Sequence, residues 1–320
     1  MSQHPLRLAV VGAGKFGSNH IRAVSSHPDC SLSTVVDIDR ERAASAAPNS
    51  QILTDYRALR GQVDAAIVAV PTELHAVVSC DLLEAGIDVL VEKPIAPNLA
   101  SADRMVAAAG YSGRILQVGH LERFNPAISK LNSLARLPLF FEVHRLSVFT
   151  PRSLDIDVVL DLMIHDLDII LSLVPSELVE IRAAGISILS PKVDIANVRL
   201  QFANGCVANL TASRASTETV RKMRVFQPGE YISLDYARQE LLAIRVNEKR
   251  EISFHPGEVE KAEPLRLQLN SFLSAVRTRT NPKLDGCSAR RTLKVALEVV
   301  SKIEEHADVV QSTVRSQCTL

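Results

Sequence analysis

The stretch LDLMIHDLDII, residues 160–170, sets three aspartates and one histidine into an otherwise apolar run. Read as a helix, it places Asp161, His165 and Asp168 on one face, because residues three and four apart are neighbours there, while Asp166 points off that face. Leu160, Met163, Leu167 and Ile170 are left to be buried. Two chemistries suit such a face. An imidazole titrates near neutrality, at about 6.5, so His165 can take a proton at cell pH and return it, with Asp161 one turn earlier to orient the ring. The same side chains are also legitimate metal ligands, but no fourth ligand is suggested beside them, and no metal is expected. Burying such groups is costly unless something answers them.

A second group of candidates lies near the N-terminus. GAGKFG (12–17) fits GxGxxG, follows the strand-like run RLAVV (7–11) and opens a helical stretch, and Asp37 closes the next strand-like run, STVVD (33–37). That context turns a common glycine-rich turn into a dinucleotide fingerprint. Gly12 permits the tight turn, Gly14 lets the backbone approach a pyrophosphate, and Gly17 lets the helix pack closely on the sheet. The helix amino end, with Lys15 and Phe16 between the glycines, attracts the anion. Asp37 can accept hydrogen bonds from both adenosine ribose hydroxyls and would repel a 2′-phosphate, so NAD is expected and NADP is disfavoured. Arg40, three residues on, can in principle answer a phosphate, but in the run DIDRERA it reads as a solvated surface arginine.

The elements that must position these residues fall into two groups. AAIVAV (65–70), DVLVEKP (88–94) and RILQVG (114–119) continue the apolar runs, separated by helix-like segments such as TELHAVVSCDLLEAG. This alternation predicts a parallel sheet covered by helices. Later the strands cluster: FFEVHRLSVF (140–149), ANVRLQFANGCVANLTASR (196–214), KMRVFQPGEYISLDY (222–236) and ELLAIRV (240–246), with Asn204-Gly205 as a hairpin signal. LRLQLNSFLSAVRT (265–278) and ARRTLKVALEVVSKIEEH (289–306) return to helical period. The expected fold class is therefore α/β followed by α+β, divided into residues 1–123 and 124–320, and 320 residues suffice for two cores.

Acidic and basic side chains number 36 each, so no overall field draws nucleic acid or an anionic membrane, and small molecules are the expected partners. No stretch approaches the roughly 18 uninterrupted apolar residues of a membrane span. Near the N-terminus only LAVV is apolar, which is short for an export signal, so a cytoplasmic location is expected. Cys30, Cys80, Cys206, Cys287 and Cys318 show neither zinc-site spacing nor a disulfide framework.

VEKPIAPN (91–98) joins the glycine loop, Asp37, AVPTELH (69–75), GHLERFNP (119–126) and Asp161 with His165 in an order that resembles the Gfo/Idh/MocA oxidoreductases. The resemblance implies a Rossmann-type domain followed by a domain with a large, mostly antiparallel, open-faced sheet that covers the substrate and mediates homodimers or homotetramers. It assigns catalysis to Lys93, His165 and Asp161: Lys93 holds the alcohol oxygen, His165 takes its proton, and NAD takes the hydride. It also implies Glu92 near the nicotinamide ribose, cis geometry at Pro94, Pro71 and Thr72 along the nicotinamide side, and His75 close to the cofactor. Arg123 and Asn125 are the further substrate-binding candidates, as donors to sugar hydroxyls or a phosphate.

The sequence departs from that family where a glycine pair commonly precedes the aspartate; Val158 and Val159 stand there instead. GHLERFNP with VVLDLMIHDLDI most resembles a subgroup that oxidises UDP-N-acetylglucosamine to its 3-keto form in amino-sugar synthesis for lipid A. Arg145, Arg152 and Arg214 are the candidates to supply charge for its diphosphate. The alternatives are a dehydrogenase of inositol, a free sugar or another polyol, and a non-catalytic NAD-binding sensor, which could dispense with Lys93 or His165.

Overall fold

The protein, in a computed structural model, is described over residues 4–150 and 156–317. Its contacts divide the chain into two compact units, Met1–Phe124 with Glu263–Leu293, and Asn125–Ala262 with Lys294–Leu320. Among the described residues no helix is long and apolar enough to cross a membrane.

The first unit alternates β1 (Leu6–Val11), α1 (Lys15–Ser25), β2 (Cys30–Val36), α2 (Arg40–Ala46), β3 (Gln51–Leu53), β4 (Ala65–Val68), α3 (His75–Glu84), β5 (Asp88–Glu92), α4 (Leu99–Ser112) and β6 (Leu116–Gly119). All six strands pair in parallel, in the order β3-β2-β1-β4-β5-β6. Strands covered on both faces must be apolar throughout, and Leu8, Val10, Ile67 and Leu90 are fully buried. The strand order reverses between β1 and β4, the place where such sheets bind ligands at the carboxyl ends of their strands. Helix ends follow local chemistry: Asp39 caps α2 through the Arg42 N–H (3.0 Å), Asn98 caps α4 through the Ser101 N–H (2.9 Å), and left-handed Gly113 ends α4.

The second unit opens with α5 (Pro126–Leu134) and β7 (Phe140–Val148). A π-helical turn, Val159–Met163, leads into α6 (Ile164–Leu173). There follow β8 (Leu178–Ile186), β9 (Ile195–Phe202), β10 (Val207–Ser216), β11 (Val220–Gln227), β12 (Glu230–Asp235), β13 (Glu240–Val246) and β14 (Ile252–Gly257). These strands form one sheet, β14-β13-β12-β11-β7-β10-β9-β8, antiparallel except at β7–β10. One face, with Phe141, Val143, Leu210 and Val225, joins Ile164, Leu167 and Ile170 of α6 in a single core. On the other face Phe140, Phe226, Tyr231, Ile244 and Phe254 stand in register across neighbouring strands. The Phe226 ring lies 5.8 Å from that of Phe140 and 4.9 Å from that of Tyr231. The parallel helix-covered sheet and the mostly antiparallel, open-faced sheet are the α/β and α+β parts that the sequence predicts.

The chain then returns. Of α7 (Pro264–Thr278), Leu269, Phe272 and Leu273 join the core of the first unit around Leu8, Ile21 and Ile67. Polar anchors hold it: His27 Nε2 lies 2.6 Å from Asn270 Oδ1, Gln117 donates to the Gln268 carbonyl (3.2 Å), and Arg279, just past the helix, pairs with buried Asp88 at 2.6 Å. Helix α8 (Gly286–Gln317) begins in the first unit, where Arg290 pairs with Asp103, and continues into the second, where Val295, Ala296, Val299 and Ile303 are core residues. Sequence division at 123/124 assigns both helices to the second domain, whereas the contacts give residues 263–293 to the first unit. Helical period reveals a buried face but not the partner that buries it.

Candidate active site

In the first unit the glycine loop has little freedom to be anything else. Gly12 has φ of +96°, and a Cβ there would stand 2.4 Å from the Ala69 carbonyl oxygen; one on Gly17 would stand 1.8 Å from that of Gly12. A Cβ on Gly14 would meet nothing within 4 Å beyond the adjoining chain, and the Gly14 cap position offers no side chain to the first turn of α1. Free N–H groups at a helix amino end next to an open backbone fit the pyrophosphate of a dinucleotide. Lys15 and Phe16 are both exposed at this turn.

Asp37, just beyond β2, is buried and fully engaged. Oδ2 accepts from the Ala13 N–H (2.7 Å) and Arg42 Nε (3.2 Å); Oδ1 accepts from the Asp39 N–H (2.9 Å) and Arg42 Nη2 (2.5 Å). Burial alone would raise its pKa, but Arg42 and the two backbone donors hold it below the ordinary aspartate value. Arg40 turns instead toward the Ile52 carbonyl at 3.5 Å. Arg42, which sequence reading passes over, is thus the side-chain partner of Asp37.

At the end of β5, Glu92 Oε1 lies 2.6 Å from Nε2 of buried His20, and Oε2 accepts from the Lys93 N–H (3.3 Å). Burial pushes Glu92 up, yet His20, the Lys93 charge and that N–H hold it below the usual carboxylate range, so it remains ionised. Gly119 makes room: a Cβ there would lie 3.1 Å from Glu92 Oε2. The Lys93–Pro94 peptide is cis. His75 is buried, with Nδ1 2.9 Å from the Pro94 carbonyl and Nε2 3.0 Å from that of Val70, so it braces the loop after β4 against the loop after β5. Burial holds its pKa below the usual histidine value. Pro71 is exposed and Thr72 half-buried in the first of these loops, and Lys93 is half-buried in the second.

The second unit positions its candidates through side chains. Val158 with Met163, and Val159 with Ile164, are all fully buried, a spacing of five that suits the wider π turn. The α-helical reading of 160–170 therefore holds only from Ile164 onward; Asp161 sits within the π turn and His165 at the start of α6, both half-buried. Asp166 on α6 accepts from Arg145 Nε (2.7 Å) and Nη2 (2.9 Å) of β7 and from the Tyr236 hydroxyl (3.0 Å), while the Arg145 guanidinium covers the Tyr236 ring at 5.0 Å. Asp168 is buried as well.

The segment entering the π turn is tied down in the same manner. Arg214 Nη2 donates to the Ile156 carbonyl, and its Nε lies 3.7 Å from Asp194. Asp194 gathers the N–H groups of Ile188 (2.7 Å), Leu189 (2.5 Å) and Ser190 (3.0 Å) with the Ser190 hydroxyl (2.7 Å). Burial would raise Asp194, and these donors hold it low. Arg145 and Arg214, read from sequence as charge for a diphosphate, are instead buried and ion-paired inside the unit; Arg152 lies outside the described residues. Arg123 belongs to a 3-10 turn, Leu121–Phe124, of the first unit. Asn125 begins the second unit as a buried cap: its Oδ1 accepts from the Ala127 N–H (3.0 Å) and its Nδ2 donates to the Tyr236 carbonyl (3.0 Å).

Residues 6–120 match an oxidoreductase family with an NAD-binding Rossmann fold, and residues 141–227 match the Gfo/Idh/MocA C-terminal domain. The chain belongs to the Gfo/Idh/MocA oxidoreductase family. Within this family, UDP-N-acetylglucosamine 3-dehydrogenase from Acidithiobacillus ferrooxidans is 34% identical over 93% of this chain and 97% of its own length. The solved structure of that enzyme superposes with a TM-score of 0.90 over 95% of this chain and 99% of the other. Inositol 2-dehydrogenase 2 from Paenarthrobacter aurescens is 34% identical over 55% of this chain and 58% of its own. Levoglucosan dehydrogenase, solved with NADH and L-sorbose, shares the fold at a TM-score of 0.86 and 17% identity, over 95% of this chain and 98% of the other. The Gfo/Idh/MocA chain described here is accordingly an oxidoreductase whose first unit is an NAD-binding Rossmann domain.

Proposed function

We propose that the chain is an NAD-dependent dehydrogenase that oxidises the 3-hydroxyl of UDP-N-acetylglucosamine to the ketone. The observation that carries this reading is the relationship to UDP-N-acetylglucosamine 3-dehydrogenase along nearly the whole of both chains, at a TM-score of 0.90. NAD, when bound, accepts the hydride from the carbon that carries the hydroxyl. Lys93 holds the alcohol oxygen and stabilises the negative charge that grows there. His165 takes the hydroxyl proton, and Asp161 orients the imidazole. Loss of that proton and of the hydride leaves the carbon–oxygen bond as a carbonyl, so atoms and charge balance. The loop that Gly12 turns and Gly17 packs holds the pyrophosphate beside Gly14, Asp37 holds the adenosine ribose, Pro71 and Thr72 the nicotinamide side, and Glu92 the second ribose, while Arg123 contacts the sugar nucleotide. We place the enzyme in the cytoplasm and its open sheet face, with the registered row from Phe140 to Phe254, in a homo-oligomer.

Incubation with UDP-N-acetylglucosamine and NAD tests the reading. The expected outcome is a product two hydrogens lighter by mass spectrometry, with NADH formed in equal amount. A second reading, oxidation of inositol or another polyol, has support from the inositol 2-dehydrogenases that match over about half of the chain. NADH formation with inositol and none with the sugar nucleotide would favour it.

A further inference from the structure

The acceptor capacity of Asp37 is full. A carboxylate offers about four lone-pair sites, and here two are taken by the backbone N–H groups of Ala13 and Asp39 and two by the Arg42 fork. The backbone donors are fixed by the glycine loop and the α2 cap, so a ribose that bonds Asp37 through its hydroxyls must displace Arg42. Arg42 is able to leave: its side chain is 46% exposed, against 5% for Asp37, and its Nη1 already lies 3.8 Å from the exposed carboxylate of Asp39. A guanidinium displaced from Asp37 stays beside the adenosine ribose, with a fork that matches phosphate oxygens as well as it matches a carboxylate.

We infer that Arg42 is a cofactor-discriminating residue: NAD binds against it, by displacing it from Asp37, whereas NADP binds with it, through a contact to the 2′-phosphate that offsets the charge of Asp37. The chain consequently prefers NAD but keeps a measurable affinity for NADP. This rests on the dinucleotide site of the first unit and not on the identity of the sugar substrate.

The test is fluorescence titration of the full chain with NADH and with NADPH, without substrate. In Arg42→Ala the two affinities are expected to move apart: NADPH weakens by about tenfold or more, the scale of one hydrogen bond to a charged group, while NADH is unchanged or tighter. Arg42→Lys, which keeps the charge, retains much of the NADPH affinity. Asp37→Asn, which keeps an acceptor for the Ala13 N–H, tightens NADPH relative to NADH by a similar factor. Equal weakening of both cofactors in Arg42→Ala, or no NADPH binding by the unaltered chain, overturns the inference while leaving an NAD site in place. Failure of the unaltered chain to bind NADH overturns the cofactor reading with it.

Discussion

The two units hold their charged groups by different means. In the first, Asp37 and Glu92 stand at strand ends, where the Ala13, Asp39 and Lys93 N–H groups share them with the Arg42 and His20 side chains and Gly119 leaves Glu92 clearance. In the second, the segment bearing Asp161 and His165 is fixed by buried ion pairs, Arg145 with Asp166 and Arg214 with Asp194, whose partners lie about twenty residues apart in the chain. Backbone positioning survives the loss of a side chain, whereas a buried pair does not survive the loss of one partner. Substitutions in the first unit should therefore change binding and rate, and those in the second should first change stability.

The largest effect is expected at Arg145→Ala, which strands the Asp166 carboxylate in the core. Urea unfolding should show a loss of about 3–5 kcal/mol, and a loss below about 1 kcal/mol would erase the contrast between the units. Next comes Lys93→Ala, expected to lower turnover by about 10²–10³-fold while NADH affinity, read by fluorescence, stays within a few-fold. Normal turnover would remove Lys93 from the chemistry. Asn125→Ala deletes a helix cap in the second unit and should cost about 1 kcal/mol, with the cofactor affinity of the first unit untouched.

The smallest effect concerns pH. Glu92 and Asp194 both have folded pKa values below their unfolded ones, so each contributes stability that is fully present above the unfolded carboxylate value, about 4, and is lost as pH falls through the folded value. His20→Leu removes the group that holds Glu92 down against its burial. Glu92's share of the acid-side decline should then shrink or reverse, so that stability falls less steeply with acid than in the unaltered chain, as measured by urea unfolding from about pH 6 down to about pH 3. An unchanged acid limb would show that His20 does not set the charge of Glu92.

This contrast also decides what can be read from sequence. The glycine loop and Asp37 are legible because the residues that make the site are close together and each has a local reason to be there. Arg42 is not: in DIDRERA every charge reads as a solvated helix face, and only the fold shows which arginine bends back to Asp37. Arg145 and Arg214 read as charge for a diphosphate, and nothing in the sequence marks Asp166 and Asp194 as their partners until the fold buries the two pairs. The π turn did leave a trace, since Val158, Val159, Met163 and Ile164 repeat at five, but a search tuned to helical period passes over it. The open sheet was legible as clustered strands, while the return of 263–293 to the first unit was not, because pattern carries no address.

That return sets an order of events during synthesis. The ribosome finishes the sixth parallel strand long before it makes Leu269, Phe272 and Leu273, the side chains that complete the core around Leu8 and Ile67. More than a hundred residues, including the whole second sheet, emerge in the interval. The nascent nucleotide domain must wait with part of its apolar surface uncovered, and a chain truncated before Glu263 leaves it so. Helix α8, which runs through the boundary at Leu293 and Lys294, follows α7 and brings Val295, Ala296, Val299 and Ile303 to a second core whose sheet is already made.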